Sequence, residues 1–188
     1  STVNMLGCHD GIPLLDLKGL LPEEEIQSLI ERIVSRGGMV KNLHGQKNLY
    51  YQVNATYYSA LGESDEKMLL ARAIQMFMPG KPQVWYLDLF AGKNDHEAVR
   101  RAGESGHKEI NRTNLSTDQI AEDLKKDVVQ KQLALIRMRN THKAFSEGAE
   151  VAISGGERSL EIRWEYNSAF ATLNVNFESG TYTIVESR

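Results

Sequence analysis

An adjacent histidine and aspartate, His9 and Asp10, stand where an apolar run ends and glycine and proline begin. A carboxylate at the carboxyl end of a strand points into the mouth of a parallel sheet or barrel, which is where such folds carry out their chemistry. Asp10 is therefore a candidate catalytic residue. The alternative is that Asp10 is only the turn residue before Gly11, because Asp-Gly is a common turn pair. Taken alone, the two residues favour the turn.

Two polar segments carry the other residues that could bind a ligand. Residues 39–48 are polar and basic with little periodicity, contain Lys41, His44 and Lys47, and are predicted to form a loop. Residues 103–115 form a second predicted loop, which contains Lys108. Clustered cations can hold an anionic ligand through charge-assisted hydrogen bonds. The alternative for the first loop is a solvated segment that binds no ligand.

The composition is that of an ordinary globular protein. Of its 188 residues, 41% are hydrophobic and 25% are charged, which argues against a disordered chain or a coiled coil. A net charge of −3 gives no basic footprint, which counts against nucleic acid or an acidic membrane as the main partner. No apolar run approaches the length of about eighteen residues that a membrane span requires.

The single cysteine, Cys8, has no partner for an internal disulfide, and no cysteine and histidine spacing suggests a zinc site. No phosphate-cradling glycine motif is present either, and no metal or organic cofactor is predicted. Because no signal-like segment is seen, the expected location is cytoplasmic.

Alternating helix and strand signals predict an α/β fold that would position these residues. In chain order the signals place a strand at 2–6, a helix from Pro22 to Gly37, a helix from Ser64 to Pro79, a buried strand at 84–89, a short helix at 96–102 and a helical stretch from Ser116 to about Thr141. Near the carboxyl terminus, residues 159–166, 169–177 and 181–185 alternate apolar and polar residues, with Gly155-Gly156 as a turn before them. This pattern is typical of an antiparallel meander.

Four stretches in order resemble the C-terminal third of the sucrose phosphorylases, which belong to the alpha-amylase superfamily of barrel glycosidases and transglucosylases. The stretches are CHDGIPLLDLKGLLPEEE (8–25), YYQVNATYYSALG (50–62), MPGKPQVWYLDLFAGKND (78–95) and EINRTN (109–114). The resemblance implies the C-terminal part of a (β/α)8 barrel over residues 1–145, with long active-site loops at about 11–62 and 91–115. Residues 146–188 would then form a small antiparallel β domain.

The resemblance also assigns a role to the His-Asp pair. It implies that Asp10 is the carboxylate that stabilises the transition state and that His9 is its sugar-binding neighbour. This role suits the chemistry, because retaining glucosyl transfer passes through an oxocarbenium-like state that a fixed carboxylate stabilises. The nucleophilic aspartate and the general-acid glutamate of the family lie on earlier strands, upstream of Ser1. We therefore expect a fragment that is inactive by itself.

The acceptor site is expected in the two polar loops. The resemblance implies that Tyr51 and Gln52 face this site. The sequence departs from typical sucrose phosphorylases at Leu49, where those enzymes carry an acidic residue. Losing an acid beside several cations favours an anionic acceptor. The stretch KNLHGQKN (41–48) resembles the sucrose 6'-phosphate phosphorylases, so His44 is predicted to contact the fructosyl phosphate. Lys108 is predicted to bind phosphate, with Arg112 as a second candidate.

The function implied by this resemblance is that of a hexosyltransferase. It would move glucose from sucrose 6'-phosphate or sucrose to inorganic phosphate, with no nucleic acid or membrane as a partner. The alternatives are a plain sucrose phosphorylase, a glucosylglycerate-type phosphorylase and, from another class, a stand-alone carbohydrate-binding or assembly module. The implied partner of the chain is the missing N-terminal barrel portion or a second copy.

Overall fold

The computed structural model describes residues 2–42 and 50–187. In chain order its strands are β1 (Val3–Met5), β2 (Ile12–Pro13), β3 (Met39–Asn42), β4 (Tyr50–Asn54), β5 (Lys81–Gln83), β6 (Glu150–Gly156), β7 (Ser159–Tyr166), β8 (Ala169–Asn176) and β9 (Thr181–Glu186). Its α-helices are α1 (Glu23–Ser35), α2 (Tyr57–Ala60), α3 (Asp65–Phe77), α4 (Tyr86–Leu89), α5 (His96–Ala102), α6 (Thr117–Asp123) and α7 (Asp127–Thr141). Short 3-10 helices cover Leu15–Leu17, Gly103–Asn111 and Lys143–Phe145.

The chain divides into two compact units, the first made of residues 1–5, 65–83 and 125–188. In this unit β1 and β5 pair in parallel, with Val3 opposite Lys81. The helix predicted from Ser64 is confirmed as α3, and its buried Arg72 donates a hydrogen bond of 2.8 Å to Gln132 of α7. The parallel strands β1 and β5 and the helices α3 and α7 therefore belong to one packed unit.

The C-terminal strands form a four-stranded antiparallel sheet in the order β6-β7-β8-β9 within the same unit. Trp164 of β7 donates a hydrogen bond of 2.6 Å to the carbonyl of Phe77, and the guanidinium of Arg139 lies 4.3 Å from the centre of the Trp164 ring. The compact units thus do not divide at residue 145, because the sheet groups with α3 and α7. The boundary between a barrel domain and a sheet domain stays a prediction.

The meander has one more strand than the sequence predicted. Gly155 and Gly156 do not form the turn but end β6, and the turn falls at Glu157 and Arg158. Glycine is needed at 155 for another reason, since a Cβ there would collide with the carbonyl oxygen of Ser159 on the paired strand. A glycine pair inside a strand was therefore mistaken for a turn.

The second unit contains residues 6–64 and 84–124. Its core packs one face of α1 against β4 and α2, and the buried members are Leu14, Ile26, Ile30, Ile33, Val53, Ala55 and Ala60. Strands β2, β4 and β3 form an antiparallel sheet in that order. Residues 39–42, predicted as loop, are the edge strand β3, whose Val40 pairs with Val53.

The strand predicted at residues 84–89 is wrong. The strand is Lys81–Gln83, and Tyr86–Leu89 forms the single helical turn α4. In this turn Asp88 is buried and accepts a hydrogen bond of 3.0 Å from the backbone N–H of Tyr57. An apolar run of this length does not distinguish a strand from a buried helical turn.

Candidate active site

The His9-Asp10 pair lies in a tight turn a few residues beyond β1. Cys8 and Gly11 close the turn with two backbone hydrogen bonds of 2.9 and 3.3 Å. Gly11 has a φ of +107°, and a Cβ on it would collide with the carbonyl oxygen of Val53 in β4. Asp10 is thus a turn residue, as the alternative interpretation of the sequence predicted, and its catalytic role stays a prediction.

The Asp10 carboxylate is surrounded by positive charge. Its Oδ1 accepts hydrogen bonds from Lys108 Nζ at 2.6 Å and from Arg112 Nη2 at 3.2 Å, while its Oδ2 lies 3.2 Å from His9 Nε2. The hydrogen bond from Lys108 is the largest of the causes that hold the pKa of the Asp10 carboxyl below its ordinary value of 3.8. Asp10 therefore stays ionised at neutral pH, and about a third of its side chain is open to solvent.

The backbone of the turn is held from outside it. Asn54 Nδ2 donates to the carbonyl of Asp10 at 2.6 Å, and Asn111 Nδ2 donates to the carbonyl of Cys8 at 2.6 Å. Arg112 Nε donates to the carbonyl of His9 at 3.1 Å. Each carbonyl of the segment 8–10 thus accepts a bond from a side chain far along the chain.

Asp95 links the two ends of the segment 96–113, which carries Lys108 and Arg112. The Asp95 carboxylate accepts from the backbone N–H of Ala98 at 2.8 Å, which caps α5, and from the hydroxyl of Thr113 at 3.1 Å. The bond from Ala98 is the first cause that lowers the pKa of Asp95 below 3.8. This closure fixes both ends of the segment and so sets the positions of its cations.

An open cavity of about 520 Å³ lies beside this segment and reaches Arg112. The charged and polar side chains that line it include Asp95, Arg101, Glu109, Arg112 and Thr113. Arg112 Nη1 is 3.3 Å from Glu109 Oε1, so the same guanidinium contacts two carboxylates on different elements. Arg112 is thereby oriented between the cavity and Asp10.

The residues predicted for the acceptor site are described only in part. Gln52 lies in β4 opposite Pro13 and is buried. Because alternate residues of a strand face the same side, Gln52 shares a face with Asn54, whose side chain reaches the turn. Tyr51 is a residue of strand β4. His44, Lys47 and Leu49 lie outside the described residues.

The structure brings together most of the site residues that the sequence could indicate within its described part. His9, Asp10, Lys108 and Arg112 form one cluster joined by the contacts above. Sequence reasoning assigned neither Asn54 nor Asn111 to the site. A polar residue directly after the apolar Val53, at the end of a strand, is the signal that could have pointed to Asn54.

The described ranges, 2–42 and 50–187, contain no group of three or more His, Cys, Asp or Glu side chains that could hold a metal ion. Within the same ranges no helix is long and apolar enough to cross a membrane.

Comparison with curated proteins relates the chain to phosphorylases. Over 98% of its length it is 54% identical to a sucrose 6(F)-phosphate phosphorylase from Ilumatobacter coccineus, of which it covers 37%. It is 38% identical, over its whole length, to a sucrose phosphorylase from Agrobacterium vitis, of which it covers 40%. The chain therefore spans less than half the length of these curated relatives. No family model matches it.

A solved structure agrees with the sequence comparison. The sucrose 6F-phosphate phosphorylase from Thermoanaerobacter thermosaccharolyticum superposes with a TM-score of 0.92 at 38% identity, over 99% of this chain and 39% of that one. The fold is accordingly α/β, made of the last strands and helices of a (β/α)8 barrel and a small antiparallel β-sheet. By sequence and by fold, the chain is similar to the C-terminal portion of the sucrose 6(F)-phosphate phosphorylases and sucrose phosphorylases.

Proposed function

We propose that this chain supplies one wall of the active site of a retaining phosphorylase that transfers glucose from sucrose 6'-phosphate to inorganic phosphate and forms α-glucose 1-phosphate. The observation that carries the proposal is the Asp10 carboxylate, held ionised after a parallel strand by Lys108 and Arg112. A fixed negative charge of this kind is what an oxocarbenium-like transition state requires.

In this proposal Asp10 acts on the sugar without forming a bond to it. Its carboxylate accepts hydrogen bonds from glucosyl hydroxyls, and these strengthen as positive charge develops on the ring. His9, whose side chain is more exposed than that of Asp10, lies on the side of Oδ2 and donates to the same sugar. The nucleophile and the general acid come from an upstream part of the enzyme.

Lys108 and Arg112 serve the second substrate. Both side chains contact Asp10 Oδ1 and both are about one third exposed, so an incoming phosphate can accept hydrogen bonds from them. A phosphate oxygen forms strong charge-assisted bonds with ammonium and guanidinium groups. Phosphate binding would then draw these cations from Asp10, which leaves the carboxylate free for the glucosyl hydroxyls.

The choice of sucrose 6'-phosphate over sucrose belongs to the same proposal. It is supported by the identity of 54% to a sucrose 6(F)-phosphate phosphorylase against 38% to a sucrose phosphorylase. Leu49 in place of an acid removes a negative charge, and His44 in the same segment supplies a donor that a phosphate can accept from. Plain sucrose and a glucosylglycerate-type acceptor are the alternatives that a substrate comparison must include.

We infer that the partner of the chain is the N-terminal barrel portion of the same enzyme. Val3 and Met5, both in β1, are exposed apolar side chains in this structure, which suits burial against a further strand or helix. The alternatives are a second copy of the chain or a stand-alone carbohydrate-binding module. A cytoplasmic location stays a prediction.

The experiment compares the 188-residue chain with the full-length protein encoded by its gene, including any sequence upstream of Ser1. We expect the full-length protein to release glucose 1-phosphate from sucrose 6'-phosphate only when phosphate is present, and the chain alone to release none. Turnover by pure chain that disappears in Asp10→Ala would refute the division of the active site. A full-length protein that binds sugars without turnover would support the carbohydrate-binding alternative.

A further inference from the structure

Two buried asparagine side chains donate hydrogen bonds to the backbone of the Cys8–Gly11 turn, which bears Asp10. The Cys8 carbonyl accepts Asn111 Nδ2 at 2.6 Å in addition to the turn's own bond from Gly11, and the Asp10 carbonyl accepts Asn54 Nδ2 at 2.6 Å. Asn111 is 1% exposed and Asn54 is fully buried. Bonds this short to backbone carbonyls fix the Cys8–His9 and Asp10–Gly11 peptide planes, which flank the His9-Asp10 pair.

The orientation of the Asn111 carboxamide is set by Trp85. An amide side chain can present either its oxygen or its nitrogen to a neighbour, and the choice follows from the partners. The indole N–H of Trp85, which can only donate, lies 3.2 Å from Asn111 Oδ1 and 3.3 Å from the Asn111 carbonyl. With its oxygen committed to Trp85, Asn111 presents its N–H donors to Cys8.

These contacts differ in kind from the ion pairs on the Asp10 side chain. Lys108 and Arg112 are partly exposed, and in the proposed mechanism phosphate competes for both of them. The bond from Asn111 goes to the backbone from a side chain that is 1% exposed, and it does not depend on charge. It therefore persists when the cations move to phosphate.

We infer that Asn111, oriented by Trp85, is a positioning residue that fixes the Asp10 carboxylate relative to the glucosyl ring once the cations have been drawn away. This inference rests on the proposed function. It assigns Asn111 no contact with substrate, so its loss should lower the rate of the chemical step and leave phosphate binding unchanged.

The test uses Asn111→Ala and Asn111→Asp in the full-length enzyme, with Asn140→Asp as the control. Asn140 is exposed near the end of α7 and lies outside the cavity beside Arg112, so its variant repeats the change of charge without touching the turn. We expect kcat to fall about tenfold in Asn111→Ala and further in Asn111→Asp, with KM for phosphate within about twofold of wild type. The control should behave as wild type.

The order of the two variants separates positioning from packing. Asp has the shape of Asn but places a second acceptor against the Cys8 carbonyl, whereas Ala removes the side chain. If Asn111 only filled space, Asn111→Asp would retain more activity than Asn111→Ala. That order, or a kcat per folded molecule equal to wild type in both variants, would overturn the inference.

Trp85→Phe provides a second measurement that does not change residue 111. It removes the indole N–H and keeps an aromatic ring beside His9, whose ring centre lies 6.0 Å from that of Trp85. We expect kcat to fall about threefold or more in the wild-type background and to change little further in the Asn111→Ala background, because the two residues act as one unit. Fully additive effects would contradict the coupling.

The two hypotheses fail in different ways. A wild-type enzyme without phosphorolysis of sucrose 6'-phosphate, sucrose or glucosylglycerate would refute the proposed function and this inference with it. An active wild type whose Asn111 variants keep the kcat of wild type would refute the inference alone.

Discussion

The Cys8–Gly11 turn and the C-terminal sheet are stabilised by different kinds of contact. Strand β7 pairs along its whole length with β8, from Ser159 opposite Asn176 to Tyr166 opposite Ala169. The turn instead depends on side chains distant in sequence, Asn54 being 44 residues from Asp10 and Lys108 being 98. A ladder spreads its stabilisation over many backbone bonds, whereas the turn depends on a few polar groups. Substitutions in the turn should therefore affect catalysis, and those in the sheet should affect stability.

The sharpest way to break this comparison is Asp10→Asn in the full-length enzyme. We expect kcat to fall by about three orders of magnitude or more, because a contact made mainly in the transition state is lost, while substrate binding changes little. Steady-state kinetics with sucrose 6'-phosphate measures both quantities. The matched control is Asp16→Asn, which removes an exposed carboxylate six positions away, in the 3-10 helix Leu15–Leu17. Retention of more than about a tenth of the wild-type kcat would show that Asp10 does not stabilise the transition state.

Specificity gives the next largest expected effect. A charge-assisted contact from His44 to the fructosyl phosphate should be worth about 1.5 to 3 kcal/mol, so His44→Ala should lower kcat/KM for sucrose 6'-phosphate by about ten- to a hundredfold. Leu49→Asp should also lower it, because the new carboxylate repels phosphate. Unmodified sucrose should be affected far less. An unchanged ratio between the two substrates in both variants would remove this segment from the specificity argument, and a wild type that prefers sucrose would identify a plain sucrose phosphorylase.

The pH dependence of the turn follows from the lowered pKa of Asp10. A carboxyl whose pKa is lowered by folding contributes stability that is complete above its unfolded pKa, near 3.8, and is lost as the pH falls through its folded pKa. In Lys108→Gln the main cause of the lowering is gone, so the pKa of Asp10 should rise.

This variant should move the acidic limb of the profile of kcat/KM against pH to higher pH, since that profile reports groups of the free enzyme. Lys18→Gln, an exposed lysine outside these contacts, is the control. An acidic limb that stays in place in Lys108→Gln would mean that the ion pair seen at 2.6 Å does not set the titration of Asp10.

The contrast between the regions also explains how far the sequence could predict the structure. Helix α3 was predicted within two residues of its ends, because proline and glycine mark its end and acidic residues its start. Strands β7 to β9 were predicted from alternation, which is local information. The errors at Val84–Leu89 and at Met39–Asn42 arose where an apolar or polar run had no local feature to fix its conformation.

The site divides in the same way. His9 and Asp10 were predicted from their place after a strand and from the family resemblance, and Lys108 and Arg112 as candidate phosphate ligands in the second polar loop. Asn54, Asn111 and Trp85 could not be assigned, because their role consists of contacts with the Cys8–Gly11 turn or with one another at separations of 26 to 103 residues. No local propensity encodes a hydrogen bond across that distance.

The same substitution in each region gives the smallest effect on activity and the most direct test of the comparison. Trp164→Phe removes an indole N–H that donates to the Phe77 carbonyl at 2.6 Å and leaves that carbonyl unpaired. It should lower the free energy of unfolding by about 1 to 3 kcal/mol. The kcat of the folded enzyme should stay unchanged, because the contacts of Trp164 with Phe77 and Arg139 lie within its own compact unit.

Trp85→Phe is its counterpart at the turn and should lower kcat more than it lowers stability. Denaturant unfolding of the two variants measures the change in the free energy of unfolding, and steady-state kinetics measures the change in kcat. Expressed as free energies, the two changes can be compared directly. If Trp164→Phe lowered kcat as much as Trp85→Phe did, the sheet and the turn would be coupled. The hypothesis that the strand ladder stabilises the fold while buried side chains at the turn position the carboxylate would then be wrong.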